Sequence, residues 1–324
     1  LVVEHAHIDQ LSLYIPIKDN QFTIRKAGKI LPFDDREVKH RHFIFHLNIP
    51  SQTTQTYYMR VECTSTLYLP ISLMSSEAFQ TYDHETQLGL GIYYGIVLVM
   101  IFYNFILFLS VRDKDYLYYV LTLLSLHGLF QLSENGLAYE YLWPHNVWWA
   151  NHCMGLFLNL AIFSALLFSQ SFLKTKEYSP RWHYTFKILQ GTALVLGLFN
   201  LMPDETPFNK LSIFWTSKIG IIVAILILIV ALDRYWKNYK PALYFLLAWS
   251  SLILGALMVG IRAQGWLPSS FLTNYGFQIG SALEMILLSM AIGYRLYIAQ
   301  KETLAAQQVA LEQEQIARQA QNEV

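Results

Sequence analysis

Ile219-Gly220-Ile221-Ile222-Val223-Ala224-Ile225-Leu226-Ile227-Leu228-Ile229-Val230 decides how this chain folds, because no residue in the run carries a polar side chain. As a surface helix it would show apolar area on every face, so it belongs in lipid or in a deep core. Outward in both directions the same texture returns. Seven mostly apolar spans can be read, at 86–110, 115–133, 149–172, 184–202, 211–232, 242–262 and 274–299. Each lies near the about 20 residues that a bilayer core needs. The hydrophobic content of 54% and the mean hydropathy of +0.31 average this apolar middle with two polar ends. The expected fold is therefore a membrane all-α seven-helix bundle over 83–299, flanked by polar segments at 1–82 and 300–324.

Loop charges predict the orientation. Arg112 and Lys114 lie between the first two spans. Lys174, Lys176 and Arg181 follow the third, Arg234, Lys237 and Lys240 the fifth, and Arg295 and Lys301 the seventh. The other set of loops offers no Lys or Arg from Glu134 to Val147, and only Lys210 after the fourth span and Arg262 after the sixth. Cationic loops stay in the cytoplasm. The C-terminus is thus expected inside and residues 1 to about 82 outside. A formal net charge of zero says little beside this asymmetry.

Before residue 80 the period changes. Leu11, Leu13, Ile15 and Ile17 alternate with Ser12, Tyr14, Pro16 and Lys18, as in a half-buried strand. Phe43, Phe45 and Leu47 repeat the pattern, as do Met59, Val61 and Cys63. Turn signals at Lys18-Asp19-Asn20, Ala27-Gly28-Lys29, Phe33-Asp34-Asp35 and Asn48-Ile49-Pro50-Ser51 separate them. An antiparallel β-sandwich is expected over 1–82. Its strand number is low, and the chain opens at Leu1 without Met, so a missing N-terminal portion is expected. Cys63 and Cys153 fall in different segments, which leaves no disulfide framework and no thiolate metal site. After the seventh span, Gln300 to Val324 contains neither Gly nor Pro and is rich in Ala, Gln, Glu and Leu. The last helix is expected to run on into the cytoplasm, with Ala305, Ala306, Val309, Ile316, Ala317 and Ala320 on one broad face. A parallel two-helix coiled coil and a solvated linker both fit that face, since Leu304 and Leu311 break the strict heptad.

Polar residues inside apolar spans are costly unless paired or wet. Glu284 in the seventh span is the strongest candidate, with Arg262, His127 and Lys218 as possible partners and Asn104 as a further intramembrane polar group. Such a cluster either switches the last helix or only fixes packing through hydrogen bonds. Unchanged signalling by Glu284→Gln at unchanged expression would exclude the switch. Asn159 reads as interhelical glue. His127 and His152 lack a companion at ligand spacing, so no metal is expected. Tyr139, Tyr141, Trp143, His145, Trp148, Trp149, His152 and Trp266 crowd the outer boundary. They read as an aromatic belt, or as a rim on which the outer domain docks.

In order along the chain, these segments resemble a bacterial family of seven-transmembrane receptors with diverse intracellular signalling modules. Gly28-Lys29-Ile30-Leu31-Pro32-Phe33, Arg36 and His40-Arg41-His42-Phe43 resemble the second type of its jelly-roll-like extracellular sensor domain. Tyr94-Gly95, Tyr103-Asn104 and Arg112-Asp113-Lys114-Asp115-Tyr116-Leu117-Tyr118-Tyr119 are similar to its first helix and first inner loop. Gly136-Leu137-Ala138-Tyr139 and Tyr141-Leu142-Trp143-Pro144 fit its first outer loop, Tyr239-Lys240-Pro241-Ala242 the start of its sixth helix, and Gly280-Ser281-Ala282-Leu283-Glu284 with Leu288-Ser289 its seventh.

The resemblance implies a receptor that senses an extracytoplasmic small molecule or glycan. Tyr14, Arg25, Arg36, Arg41, Tyr58 and Arg60 supply the aromatic and planar hydrogen-bonding types that sugar binding needs, although a solvated strand face reads the same way. It further implies a homodimer joined through the C-terminal helix and an output domain beyond Val324, such as a diguanylate cyclase or histidine kinase. Residues 1–324 would then not be enzymatic themselves, and no cofactor or nucleic-acid partner is expected. A retinal protein is set aside because 274–299 holds no lysine for a Schiff base. Asp233-Arg234-Tyr235 follows the fifth span rather than the third, so its likeness to an animal receptor motif is coincidence. The remaining alternative is a membrane transporter or intramembrane enzyme. Neither internal repeats nor mid-span prolines support it.

Overall fold

Strict alternation produces strands where it is longest. The computed structural model describes residues 1–322 apart from 18–20, 65, 66, 68 and 269. The expected turn at Lys18-Asp19-Asn20 and the end of the last helix at Val324 lie outside the described residues. The chain forms two compact units, Leu1–Ile225 and a second that begins at Leu226.

Among the described residues the first unit opens with six strands: β1 Val2–Val3, β2 Gln10–Pro16, β3 Phe22–Ala27, β4 Phe43–Ile44, β5 Tyr58–Glu62 and β6 Ile71–Ser72. They form two three-stranded sheets, β4-β1-β6 and β3-β2-β5, and every pairing is antiparallel. Leu11 pairs with Ala27 and Val61, and Leu13 with Arg25 and Met59. Side chains alternate along a strand, so Leu11, Leu13, Met59 and Val61 look inward. There they share a core with Val3, Ile8, Phe43 and Phe45. This is the antiparallel β region expected before residue 82, drawn with shorter strands.

Helix begins at Ser76, ahead of the apolar run, where the Ser75 hydroxyl accepts the Ala78 amide at 3.2 Å. The helices of this unit are α1 Ser76–Val111, α2 Lys114–Thr122, α3 Gln131–Glu134, α4 Leu137–Tyr141, α5 Val147–Phe172, α6 Thr175–Tyr178 and α7 Pro180–Phe199, followed by the start of α8, Pro207–Trp236. The second unit holds the rest of α8, then α9 Pro241–Ala263, α10 Phe271–Asn274 and α11 Gly276–Asn322. Helix covers most of each expected span, with Asn200 to Met202 and Tyr275 outside it. Among the described residues, however, five helices are long and apolar enough to cross a membrane: 76–111, 147–172, 207–236, 241–263 and 276–313. The second span falls short because a π-helical segment, Leu123–Phe130, separates α2 from α3. The fourth, α7, carries Arg181, His183 and Lys187 in its N-terminal half and Gln190 just beyond it.

On α8 one stripe is buried at three- and four-residue spacing: Asn209, Ser212, Thr216, Ile219, Val223, Ile227 and Val230. The polar part of this stripe is tied to α5 and α7. Asn159 Nδ2 donates to Thr216 Oγ1 at 2.9 Å, and Asn200 Nδ2 to Ser212 Oγ at 2.6 Å. Asn209 Nδ2 reaches the Met202 carbonyl at 2.9 Å. Three asparagines, each almost fully buried, thus bond across helices in the way polar residues hold membrane helices together.

In the second unit α9 and α11 pack closely. A Cβ added at Gly255 would lie 2.2 Å from the Gly276 carbonyl oxygen, and one at Gly280 would lie 2.4 Å from that of Ser251. Ser251 Oγ also donates to the Gly280 carbonyl at 3.1 Å. α11 is one uninterrupted helix of 47 residues. At 1.5 Å per residue it is about 70 Å long, more than twice the about 30 Å of a hydrocarbon core. Ile316, Ala317 and Ala320, which carry half of the expected apolar face, have side chains outside the described residues.

Candidate functional site: the junction of β domain and helices

A buried arginine holds the junction. Arg36 follows the 3₁₀ turn at Phe33–Asp35, and its guanidinium carbon lies 4.7, 4.6 and 5.1 Å from the ring centres of Phe33, Phe43 and Tyr139. Tyr139 belongs to α4, so this cation–π cluster joins the β domain to the loop after the second span. Arg36 Nη1 donates to the His40 and Arg41 carbonyls at 2.6 and 3.2 Å. Burial lowers its pKa to about 10, which leaves it charged at neutral pH. The Tyr139 hydroxyl donates to the Leu31 carbonyl at 2.7 Å.

Carboxylates and imidazoles complete the clamp. His40 Nε2 lies 2.9 Å from Asp83 Oδ1 on α1, and the Tyr82 hydroxyl donates to Glu4 Oε2 at 2.9 Å. His7 Nε2 lies 3.0 Å from the Glu134 carbonyl, and His145 Nδ1 3.1 Å from Asp34 Oδ2. Burial, then the neighbouring Arg41, depresses His42 to about 2, so this imidazole stays neutral. Gly136 is required at the seam. Its φ of +75° favours glycine, and a Cβ there would meet Ala6 Cβ at 2.9 Å.

These positions correct part of the reading from sequence. Arg36 and Arg41 are 7% and 4% exposed. They do not stand on a polar strand face: the rings of Phe33, Phe43 and Tyr139 close over Arg36, and Arg41 is buried against Gly136. Arg25 points to the inward side of the sheet opposite Leu13 and pairs with Glu37 at 2.6 Å. Tyr14, Tyr58 and Arg60 do come together. Tyr14 pairs with Tyr58, and Ser12 with Arg60, which sets all of them on the outer face of β3-β2-β5. Phe22, missed from sequence, completes that face with edge contacts to Tyr14 and Tyr58 at 6.5 and 5.6 Å. Tyr58 is 58% and Ile24 48% exposed, an unusual apolar exposure for a strand face.

Four of the five expected intramembrane residues contact groups other than one another. Asn104 Nδ2 bonds the Met100 carbonyl of its own helix at 2.8 Å. His127 Nδ1 lies 3.5 Å from the Tyr93 hydroxyl. Lys218 is not part of a buried cluster: it is exposed, donates to the Phe214 carbonyl at 3.0 Å and covers the Phe214 ring. Arg262 Nη1 donates to Asn274 Oδ1 at 2.6 Å, and Glu284 is fully buried on α11. Of the aromatic rim, Tyr139 and His145 touch the β domain.

A small β domain clamped to a set of helices, several of them long and apolar enough to cross a membrane, defines a membrane protein with an appended β domain. Residues 86–295 match the family described as 7TM diverse intracellular signalling, and residues 1–75 match the one described as 7TMR-DISM extracellular 2. The chain belongs to this family of transmembrane receptors, with its N-terminal sensor part. Neither the curated proteins nor the solved structures contain a match.

Proposed function

We propose that this chain receives an extracytoplasmic signal in its β domain, carries it through seven membrane crossings and delivers it through α11 to a cytoplasmic output domain. In this reading residues 1–75 lie outside the inner membrane and the far half of α11 lies in the cytoplasm, paired with that of a second copy. The observation that supports it most is the clamp at Arg36. A domain held only by its linker could bind a ligand without informing the helices, whereas one held by a buried cation, three rings and two His–carboxylate contacts must disturb them when it shifts. The loop charges and the length of α11 favour the orientation. The outer face of β3-β2-β5, with Tyr14, Phe22, Tyr58 and Arg60, is the surface proposed for a glycan-like ligand, since flat rings beside a guanidinium suit stacking and hydrogen bonding together.

The test is Arg36→Ala in the full chain carrying a single cysteine at Gln307. Removing three cation–π contacts at a desolvated site should cost about 2–4 kcal/mol. The thiol cross-linking rate between copies should change while insertion stays normal. Cross-linking identical to that of the parent, in a variant whose β domain has demonstrably loosened, would refute transmission through this clamp.

A further inference from the structure

Between the β domain and the helices of the first unit lies a cavity of about 280 Å³. His7 and Lys29 line it from the β domain, and Asn151 and Asn209 from the starts of α5 and α8. It reaches Leu158 and Ser217, about 15 Å along each helix axis. The volume lies just under the range of pockets that hold drug-sized molecules, so its occupant is small.

The charges around it are unbalanced. Lys29 Nζ sits 2.9 Å from Asp9 Oδ1 and is neutralised there. Two further carboxylates line the cavity, Glu134 and, at its solvent-exposed mouth, Asp204. The groups facing them are imidazoles: His7 Nε2 is 3.6 Å from Glu134 Oε2, and His152 Nε2 is 3.4 Å from Asp204 Oδ1. Hydrogen-bond capacity is skewed the same way. Asn209 is 2% exposed and uses its amide N–H groups on the Asn200 and Met202 carbonyls. Among the described residues no donor reaches its Oδ1, nor Asn151 Oδ1, nor Glu134 Oε2. Buried acceptors without donors are costly, and these three edge one cavity. Met154, Leu158 and Ile213 give the same space an apolar wall.

We propose that this cavity binds a small primary amine. Its ammonium group answers the carboxylates and amide oxygens, and its short carbon skeleton lies against Met154, Leu158 and Ile213. The site is separate from the aromatic sheet face and adjoins the seam that the β domain makes with the helices. Its role as a second input rests on the receptor reading above; its occupancy does not.

Isothermal titration of the full chain in lipid nanodiscs tests this, with n-butylamine as probe and butyrate and glycerol as controls. Butylamine should bind saturably and the controls should not. Glu134→Gln with Asp204→Asn should weaken binding at least tenfold, and Ile213→Trp, which fills the apolar wall, should abolish it at an unchanged melting temperature. A flat butylamine titration overturns the proposal, as does equal affinity in the double variant or equal binding of butyrate. Should the double variant fail to fold, Ile213→Trp decides, and retained binding overturns the site. Binding that is lost in Ile213→Trp, with cross-linking of the Gln307→Cys chain unmoved by butylamine, upholds the site and places the failure in the receptor reading.

Discussion

Replacing Gly255 or Gly280 with Ala should pry α9 from α11. The added Cβ at Gly255 would sit 2.2 Å from the Gly276 oxygen and 3.0 Å from its carbonyl carbon; at Gly280 it would sit 2.4 Å from the Ser251 oxygen and 3.2 Å from Gly255 Cα. Non-bonded atoms rest about 3.5–4.0 Å apart, so the helices must separate by about 1 Å. Backbone supplies the obstacle at both positions, and no side chain can turn aside to absorb the strain. A gap of about 0.5–1 Å forfeits a quarter to a half of each dispersion contact along the seam. The Ser251 bond to the Gly280 carbonyl, at 3.1 Å, lengthens as well. Overpacking costs of about 1–3 kcal/mol put the expected loss near the upper end of that range for either variant. Thermal unfolding in nanodiscs measures it, with Gly95→Ala on α1 as control. Nothing lies within 4 Å of a Cβ at Gly95, so there Ala should be neutral or stabilise by about 0.5–1 kcal/mol through helix propensity. If Gly255→Ala and Gly280→Ala melt with the control, the close seam does not exist.

His42 makes the β domain sensitive to acid. Its folded pKa is about 2 against about 6.5 unfolded, so below pH 6.5 the unfolded state takes up a proton that the folded state refuses. Stability from this group is therefore lost as pH falls, by about 2 kcal/mol between pH 7 and pH 5. His42→Phe should remove that slope, and an unchanged difference in melting temperature between the two pH values would refute it. On the outer sheet face, Tyr58→Ala and Phe22→Ala should each weaken glycan binding at least tenfold, while Arg25→Ala, on the opposite side of the sheet, should leave it unchanged. Equal losses from all three would show that the signal is general destabilisation.

Much of the fold could be read because its driving terms are local and additive. The apolar run at 219–230 needs no partner to declare its preference for lipid, and the alternation through Leu11, Leu13 and Ile15 declares a strand by itself. β1 and β6 were invisible, since two residues carry no period. β3 was hidden because Phe22 and Ile24 point outward, the reverse of the expected pattern. At the site, the residue types were legible and their surroundings were not. Arg36 looked like a ligand-binding arginine because its three rings come from Phe33, Phe43 and Tyr139, scattered over a hundred positions. That Tyr14, Tyr58 and Arg60 share polar strand faces was legible because a period of two separates the two sides of a strand whatever the pairing. Their union with Phe22 depended on register, which turns set and alternation alone does not.

The same limit explains why intramembrane asparagines resist reading one by one. Asn104 and Asn159 look alike in sequence, each a lone amide in an apolar span. Each spends one N–H on its own helix, at the Met100 and Gly155 carbonyls. Only Asn159 reaches another helix, because Thr216 lies within 2.9 Å. Gly155 contributes by leaving room. A Cβ there would lie 2.2 Å from Asn200 Oδ1, so any other residue would push the Asn200 amide off its bond to Ser212. Asn200, Asn209, Ser212 and Thr216 then form a polar layer bordering the cavity, in helices that are otherwise apolar. Such a layer holds the helices together through interhelical bonds worth about 0.6–2 kcal/mol each in a membrane. Asn209 spends its amide N–H groups on that task, and among the described residues its Oδ1, at the lining of the cavity, is the acceptor left over.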